Sequence, residues 1–252
     1  MQVMFIVANW KAYVETAQRA KKLFVVSKRL ASRYAGQHEI LLAPPSPFLG
    51  MLAYANHSKV LFCVQDVSVD ASGAHTGEVT AGAAHSAGAS YAIVGHSERR
   101  AAGDTNEIVA QKMQHSIGQG LIPILCVGEH ERNEDAQYLS FVREEILSAL
   151  TLLSHKDRAK VILAYEPIWA IGKTASEAIT SSDLTEMILY LRKVLSDVLS
   201  GNASKRTCIL YGGSVEPDNA RMLAEGTGID GFLIGHAATQ PESFQALVKV
   251  LS

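Results

Sequence analysis

Residues 91–127 read YAIVGHSERRAAGDTNEIVAQKMQHSIGQGLIPILCV, and this stretch contains the repeating unit on which the fold depends. A short apolar run, Tyr91–Val94, leads through polar and glycine residues to a helical pattern at Thr105–Gln119. Asp104 stands where a helix N-cap is expected, and a second apolar run, Ile122–Val127, follows the helix. The order strand, helix, strand predicts a βα unit of a parallel sheet.

The same unit recurs along the chain. The predicted strands are Met4–Ala8, Glu39–Ala43, Val60–Val64, Tyr91–Val94, Ile122–Val127, Val161–Ala164, Cys208–Tyr211 and Gly231–Ile234. Several are apolar at consecutive positions, which favours parallel strands covered by helices. Helical patterns between them include Glu15–Tyr34, Ser182–Leu199 and a short helix that opens at Pro217. Eight strands alternating with eight helical stretches predict an α/β fold, a single-domain (β/α)8 barrel over residues 1–252, and an open doubly wound sheet is the alternative.

The composition is that of an ordinary globular protein. A formal net charge of −2 over 252 residues gives no reason to expect a nucleic-acid partner. The three cysteines, Cys63, Cys126 and Cys208, lack metal-ligand spacing and lie in or beside apolar runs, so we interpret them as small buried hydrophobic residues. No leader or membrane-spanning run is evident, and a cytoplasmic enzyme without membrane association is expected.

Polar and glycine residues follow five of the predicted strands. The stretches are Asn9–Lys11, Gly95–Arg100, Tyr165–Lys173, Tyr211–Ser214 and Gly235-His236. Taken singly, each has an unremarkable reading, because a lysine after a strand is usually a solvated surface group and Gly-Gly can be a tight turn only. A barrel, however, brings the carboxyl ends of its strands around one axis, where the active site lies. Their convergence therefore favours a functional interpretation of the whole set.

Lys11 could also be the Schiff-base lysine of an aldolase-type barrel. Such lysines commonly lie in the apolar interior of a strand, whereas Lys11 follows the first strand. No nucleotide fingerprint or metal-ligand constellation occurs in the sequence, so neither a cofactor nor a metal is expected. Gly212-Gly213-Ser214 is better interpreted as a phosphate cradle, because glycine lets the backbone approach an anion closely.

Four of these motifs, in this order and spacing, resemble the triosephosphate isomerase family over essentially the whole chain. They are Asn-Trp-Lys at 9–11, Gly-His-Ser-Glu-Arg-Arg at 95–100, Tyr-Glu-Pro-Ile-Trp-Ala-Ile-Gly at 165–172 and Tyr-Gly-Gly-Ser at 211–214. The resemblance implies a cofactor-free barrel that interconverts D-glyceraldehyde 3-phosphate and dihydroxyacetone phosphate through an enediolate, in glycolysis and gluconeogenesis. Such chemistry needs a carboxylate kept dry by a closing loop and a neutral imidazole as proton donor, the pairing established for this family.

The resemblance also implies a role for each matching residue. Glu166 would be the base and His96 the electrophile, while Lys11 supplies positive charge to the substrate and Asn9 a neutral hydrogen bond. Glu98 completes the predicted catalytic set, and Cys126 would support it. The substrate, through its phosphate, would be held by backbone groups around Gly172, Gly212, Gly213, Ser214, Gly235 and His236.

Two departures from the family pattern bear on function. The sixth loop of the family usually reads Ile-Gly-Thr-Gly-Lys, whereas here it reads Ile171-Gly172-Lys173 before Thr174. The loop is thus two residues shorter, which predicts a shortened but mobile lid and an altered efficiency. His236 replaces a glycine, and it would cost roughly 1 kcal/mol if that position required a positive φ. We interpret it as a tolerated substitution whose amide still binds phosphate, although its side chain could instead meet the phosphate or the lid.

The resemblance further implies a homodimer. The third loop, around Val69–Glu78, keeps His75-Thr76-Gly77-Glu78, and in the family this loop docks into a neighbouring subunit. Thr76 and Glu78 are therefore predicted dimer contacts, with Thr76 near the partner's lysine. Asp66 and Ala12-Tyr13 differ from the usual residues of this region and could weaken the dimer or alter the subunit number.

Two other functions remain open at this point. One is isomerisation of a related sugar phosphate, such as a tetrulose phosphate, because a shorter lid could admit a longer substrate. The other is a non-catalytic phosphate-binding or structural homologue, although the loss of Glu166, His96 or Lys11 that would mark it is absent from the sequence.

Overall fold

The computed structural model describes residues 3–132, 135–172, 179–199 and 203–252. Eight parallel strands form a closed barrel in chain order, which confirms the predicted fold and excludes the open sheet. The strands are β1 Met4–Asn9, β2 His38–Ala43, β3 Leu61–Val64, β4 Tyr91–Val94, β5 Ile122–Val127, β6 Ile162–Tyr165, β7 Ile209–Tyr211 and β8 Gly231–Ile234. The predicted strand limits differ from these by one residue at most.

The barrel closes where β1 pairs with β8. Phe5 lies opposite Gly231 and Ala8 opposite Ile234 in this parallel pair. A Cβ atom added at Gly231 would lie 2.0 Å from the Phe5 carbonyl oxygen, so only glycine lets the first and last strands approach this closely. The closure brings the residues after β1 beside those after β8, and both groups were predicted to bind substrate.

The helices lie outside the strands, and the described residues contain more of them than the eight stretches predicted. The α-helices are α1 Ala17–Arg33, α2 Ser46–Tyr54, α3 Ala81–Ser86, α4 Ser97–Ala101, α5 Asn106–Gly118, α6 Gln137–Leu150, α7 His155–Arg158, α8 Ser181–Val198, α9 Ala203–Arg206, α10 Pro217–Ala224 and α11 Pro241–Val250, with 3₁₀ helices at Ile168–Ala170 and His236–Thr239. The extra ones are short turns within connections, too brief to give a helical period. In the described ranges no helix is long and apolar enough to span a membrane.

The prediction that Asp104 caps α5 was wrong. Thr105 is the N-cap, and its hydroxyl accepts a hydrogen bond from the Ile108 N–H. The Asp104 carboxylate instead accepts a bond of 2.6 Å from Nζ of Lys112, which is almost fully buried. A buried ammonium requires paired carboxylates, and this requirement outweighs the local preference for capping.

The core has two layers. Side chains such as Val7, Leu41, Ile124 and Leu233 fill the inside of the barrel, and a larger cluster packs between the strands and the helices. Cys63 and Cys126 are fully buried, as predicted, whereas Cys208 is only partly buried. Because the barrel interior is filled, the open space lies at the ends of the strands.

Candidate active site

A cavity of about 320 Å³ opens at the carboxyl ends of the strands. It is lined by Asn9 at the end of β1, by Leu233 of β8 and by residues that follow β1, β4, β6, β7 and β8, which are Lys11, Tyr13, His96, Glu166, Ile171, Gly172, Gly212, Gly213, Ser214, Val215, Glu216, Gly235, His236 and Ala237. The barrel thus brings together the residues whose convergence the sequence predicted. Glu98 does not line this cavity but borders an adjacent one, also of about 320 Å³, which shares Asn9, Lys11 and His96.

His96 and Glu166 face each other in this cavity, and both are almost fully buried. Nε2 of His96 lies 3.3 Å from Oε1 of Glu166. The other ring nitrogen, Nδ1, accepts a hydrogen bond of 3.1 Å from the Glu98 N–H and therefore carries no proton. The imidazole is thus neutral with its proton on Nε2, which points into the cavity.

The Glu166 carboxylate is held in a tight place. Its Oε2 accepts a hydrogen bond of 3.2 Å from the Ser97 N–H at the start of α4. Cys126 is fully buried beside it, and burial together with the nearby Glu166 charge raises the pKa of the Cys126 thiol well above its usual value. On the opposite side, a Cβ atom at Gly212 would lie only 2.8 Å from Cγ of Glu166. The neighbours of the carboxylate therefore include an uncharged thiol and a glycine, which has no side chain to displace it.

Lys11 adopts a left-handed backbone, with φ of 45°, which is unusual for a residue other than glycine. Its N–H donates to Oδ1 of Asn9 at 3.0 Å, and its carbonyl accepts a bond of 2.9 Å from Nε2 of Gln65. Nζ of Lys11 lies 2.7 Å from Oε1 of Glu98. Strain of this kind persists where neighbours impose it, here to direct the ammonium into the cavity.

Gln65 is a residue that sequence reasoning did not assign to the site. Its side-chain amide also donates to the Ala43 carbonyl at 2.9 Å, so it ties the Lys11 backbone to the end of β2. Its place directly after β3 was the only available signal, because both partners are distant in sequence.

The two glycines after β7 provide space. The Gly212 N–H already donates to the Tyr165 carbonyl at 2.8 Å, so it is committed to the barrel. A Cβ atom at Gly213 would lie 2.2 Å from the Tyr211 hydroxyl oxygen. Ser214 follows, and its hydroxyl donates to the Ala170 carbonyl at 3.0 Å. This last bond joins the end of β7 to the segment after Glu166.

His236 does not have the positive φ on which a backbone cost depended. It begins a 3₁₀ helix, and among the described residues only Lys11 and Ala136 have a positive φ without being glycine. The cost of a left-handed histidine therefore does not arise. The exposed His236 ring contacts the edge of Tyr13, with the ring centroids 5.9 Å apart. Two residues that differ from the family pattern thus form one wall of the cavity.

The segment after Glu166 is anchored at its near end. Trp169 donates from Nε1 to Oε1 of Glu129 at 2.9 Å, and the Tyr165 hydroxyl donates to the same oxygen at 2.8 Å. Gly172 has φ of 74°, a conformation that favours glycine. The shortened part of the predicted lid and its second hinge, within residues 173–178, lie outside the described residues. Glu129 escaped the sequence analysis because it follows β5, a strand end without a recognised motif.

The predicted dimer loop lies beside the adjacent cavity, where Glu78 is a lining residue. Its base is closed by a bond of 2.8 Å from the Ser68 N–H to the Val79 carbonyl. Nδ1 of His75 pairs with the Asp70 carboxylate at 3.0 Å, and Thr76 and Glu78 are both exposed.

Comparison with known proteins agrees with this arrangement. A sequence model described as triosephosphate isomerase matches residues 4–251. The chain is 37% identical to a triosephosphate isomerase of Herminiimonas arsenicoxydans, over 99% of both chains. It is 38% identical to that of Cupriavidus taiwanensis, over 98% of this chain and 99% of the relative, and 36% identical to that of Thermus thermophilus, over 99% of both. The chain belongs to the triosephosphate isomerase family.

Proposed function

We propose that this chain interconverts D-glyceraldehyde 3-phosphate and dihydroxyacetone phosphate, the reaction that its family catalyses in glycolysis and gluconeogenesis. The observation that carries the proposal is the pairing of a buried carboxylate with a neutral imidazole, 3.3 Å apart, at the floor of an open cavity. The reaction needs a base for a carbon-bound proton and a donor for the adjacent oxygen, and these two groups meet both needs.

In the proposed mechanism, Glu166 removes a proton from C1 of dihydroxyacetone phosphate. The electron pair forms a C1–C2 double bond while the C2 oxygen takes the proton from Nε2 of His96. The imidazole then recovers a proton from the C1 hydroxyl, C1 becomes the aldehyde, and Glu166 returns its proton to C2. No proton or electron is lost or gained overall, so the reaction consumes no external oxidant or reductant.

Lys11 and Asn9 would stabilise the charge that develops on the substrate oxygens. The Lys11 ammonium is held by Glu98 at 2.7 Å and by the strained backbone, so it is fixed in place before substrate arrives. A preorganised cation lowers the energy of an enediolate without reorganisation during the reaction. Glu98 is exposed and does not line the main cavity, so its proposed role is to orient Lys11 and His96.

The phosphate would be bound by backbone groups near Gly172, Ser214, Gly235 and His236. These residues line the same cavity as Glu166, and Gly212 and Gly213 provide the room for close approach. Backbone N–H groups bind a phosphate well because they supply several directed donors without adding a fixed charge.

The direct test is the Glu166→Gln variant, assayed for isomerisation of three- and four-carbon substrates. We expect the wild type to prefer triose phosphate and the variant to lose about 10²–10⁴-fold in kcat, the usual contribution of a general base. Glu144→Gln is the matched control, because Glu144 is an exposed carboxylate on α6. Full activity in Glu166→Gln would exclude the mechanism. A wild-type preference for a tetrulose phosphate would mean that the substrate is a four-carbon sugar phosphate.

We also propose that the chain acts as a homodimer in the cytoplasm. The exposed loop with Thr76 and Glu78 lies beside a cavity that includes Lys11, which gives a second copy a place to dock. Light scattering should then give twice the chain mass of 27.1 kDa. A monomer at micromolar concentration would contradict the dimer and leave the barrel's chemistry to be tested separately.

A further inference from the structure

Behind the cavity lies a buried ion pair between α4 and α6. Nε of Arg100 is 3.2 Å from Oε1 of Glu145, and the side chains are 14% and 3% exposed. Neither residue is among those that line the main cavity. Each of them, however, is bonded to the backbone beside one of the two residues proposed to move protons.

Arg100 holds the peptide that precedes His96. Its Nε donates to the Gly95 carbonyl at 3.0 Å, and its Nη1 donates to Oδ1 of Asn106 at 2.8 Å. Gly95 has φ of 73° and is crowded, since an added Cβ atom would lie 3.2 Å from the Cys126 carbonyl oxygen. The guanidinium therefore ties this crowded turn to α4, the helix that contains Arg100.

Glu145 holds the turn against which Glu166 rests. Its Oε2 accepts a bond of 2.9 Å from the Gly128 N–H. The Glu166 backbone packs directly on that turn, because a Cβ atom at Gly128 would lie 1.8 Å from the Glu166 carbonyl oxygen. The Glu166 N–H also donates to the Val127 carbonyl at 2.8 Å. A shift of Gly128 would therefore move the backbone that carries the base.

Burial of this pair has a cost. Burial raises the pKa of Glu145 to about 7, although Arg100 and the Gly128 N–H both act to lower it. The charges of Glu166 and Glu129 nearby raise it further. A buried ion pair often adds little stability compared with apolar residues of the same size, so stability alone is a poor reason for it.

We propose that Arg100 and Glu145 are positioning residues, which together fix the distance between His96 and Glu166 from behind. The inference rests on the proposed isomerase activity. The pair connects the Gly95 carbonyl, one residue before His96, to the Gly128 turn beneath Glu166. Misplacing a reacting group by about 1 Å can cost roughly 10²-fold in rate, so a device that fixes this distance acts on kcat.

The test is a double-mutant cycle at pH 8 with Glu145→Gln, Arg100→Gln and the double variant. We expect kcat to fall about tenfold in each single variant. KM and the inhibition constant of glycerol 3-phosphate should stay within twofold of the wild-type values, because none of the residues proposed to bind the phosphate is changed. The double variant should lose no more than either single variant, since the two side chains act as one unit. Asn106→Ala loosens the same guanidinium while leaving both buried charges, and its kcat should fall about threefold. This variant keeps the inference testable if the stronger variants do not fold.

Asp230→Asn is the matched control. Asp230 is also buried, accepts a bond of 2.8 Å from the Ile209 N–H and pairs with Nη2 of Arg192 at 2.8 Å, but it precedes β8 at the opposite end of the barrel. The Asp230→Asn substitution should lower the melting temperature and leave kcat unchanged. Equal melting losses with unchanged kcat in all variants would overturn the inference while the proposed function stands, whereas an inactive wild type would overturn both.

Discussion

Replacing Gly212 by alanine should displace the Glu166 side chain directly. The new Cβ atom would lie 2.8 Å from Cγ of Glu166. Carbon atoms in contact normally stay about 3.5–4.0 Å apart, so the Glu166 side chain must move by about 0.7–1.2 Å. Such a displacement of a base costs roughly 10²-fold in rate, or about 2.7 kcal/mol of transition-state stabilisation. The loss should fall mainly on kcat, because the Gly212 N–H is already bonded to the Tyr165 carbonyl.

The assay is the steady-state rate of triose phosphate isomerisation, with the melting temperature of each variant measured alongside. Gly118→Ala is the control, because Gly118 ends α5 and its added Cβ atom meets nothing within 4 Å. That variant should match the wild type in kcat and KM. A Gly212→Ala enzyme with kcat within threefold of the wild type would refute the reasoning. A rise in KM alone would show instead that the methyl group blocks the substrate.

Three further predictions follow from particular residues. The pKa of Glu145 is raised from 4.5 to about 7, so the folded protein binds more protons in that window and this carboxyl's contribution to stability falls as pH rises. The free energy of unfolding of Glu145→Gln, measured with denaturant and compared with that of the wild type, should therefore rise by on the order of 3 kcal/mol between pH 4 and pH 8. A difference that does not change with pH would contradict this prediction. His236→Gly should leave KM within a few-fold because the backbone amide remains, and a tenfold rise would mean that the imidazole itself binds phosphate. Inserting Thr-Gly after Gly172 should change kcat/KM or the leakage of the intermediate, and no change in either would mean that the lid's length is immaterial.

The sequence predicted the strands well because each is a short apolar run whose ends are marked by glycine or polar residues. Tyr91–Val94, Ile122–Val127 and Gly231–Ile234 were predicted with the limits that the structure has. The cavity residues could be predicted for a related reason, since a closed barrel fixes where its strand ends meet. The chain length and the eight repeats favoured closure, and the motif resemblance supplied the proposed chemical roles, which remain proposals.

What escaped prediction depends on contacts between distant residues. Lys112 is buried against Asp66, 46 positions away, and its Nζ also bonds the Asp104 carboxylate, which therefore does not cap α5. The Arg100–Glu145 pair and the Gln65 amide are equally non-local. The backbone cost at His236 could be stated from the sequence only as a condition, because the φ of this residue depends on the 3₁₀ helix that begins there, for which no local signal was recognised.

The central claim is that Glu166 and His96 transfer protons through an enediolate. The most direct measurement is isomerisation of dihydroxyacetone phosphate in D₂O, with the aldehyde product trapped and its C2 position read by NMR. A protonated Glu166 exchanges with solvent, so we predict deuterium at C2 in the wild-type product and almost no product from Glu166→Gln. A product that carries only the original hydrogen and is formed by Glu166→Gln as fast as by the wild type would show that this hydrogen moves without the base, and it would contradict the account.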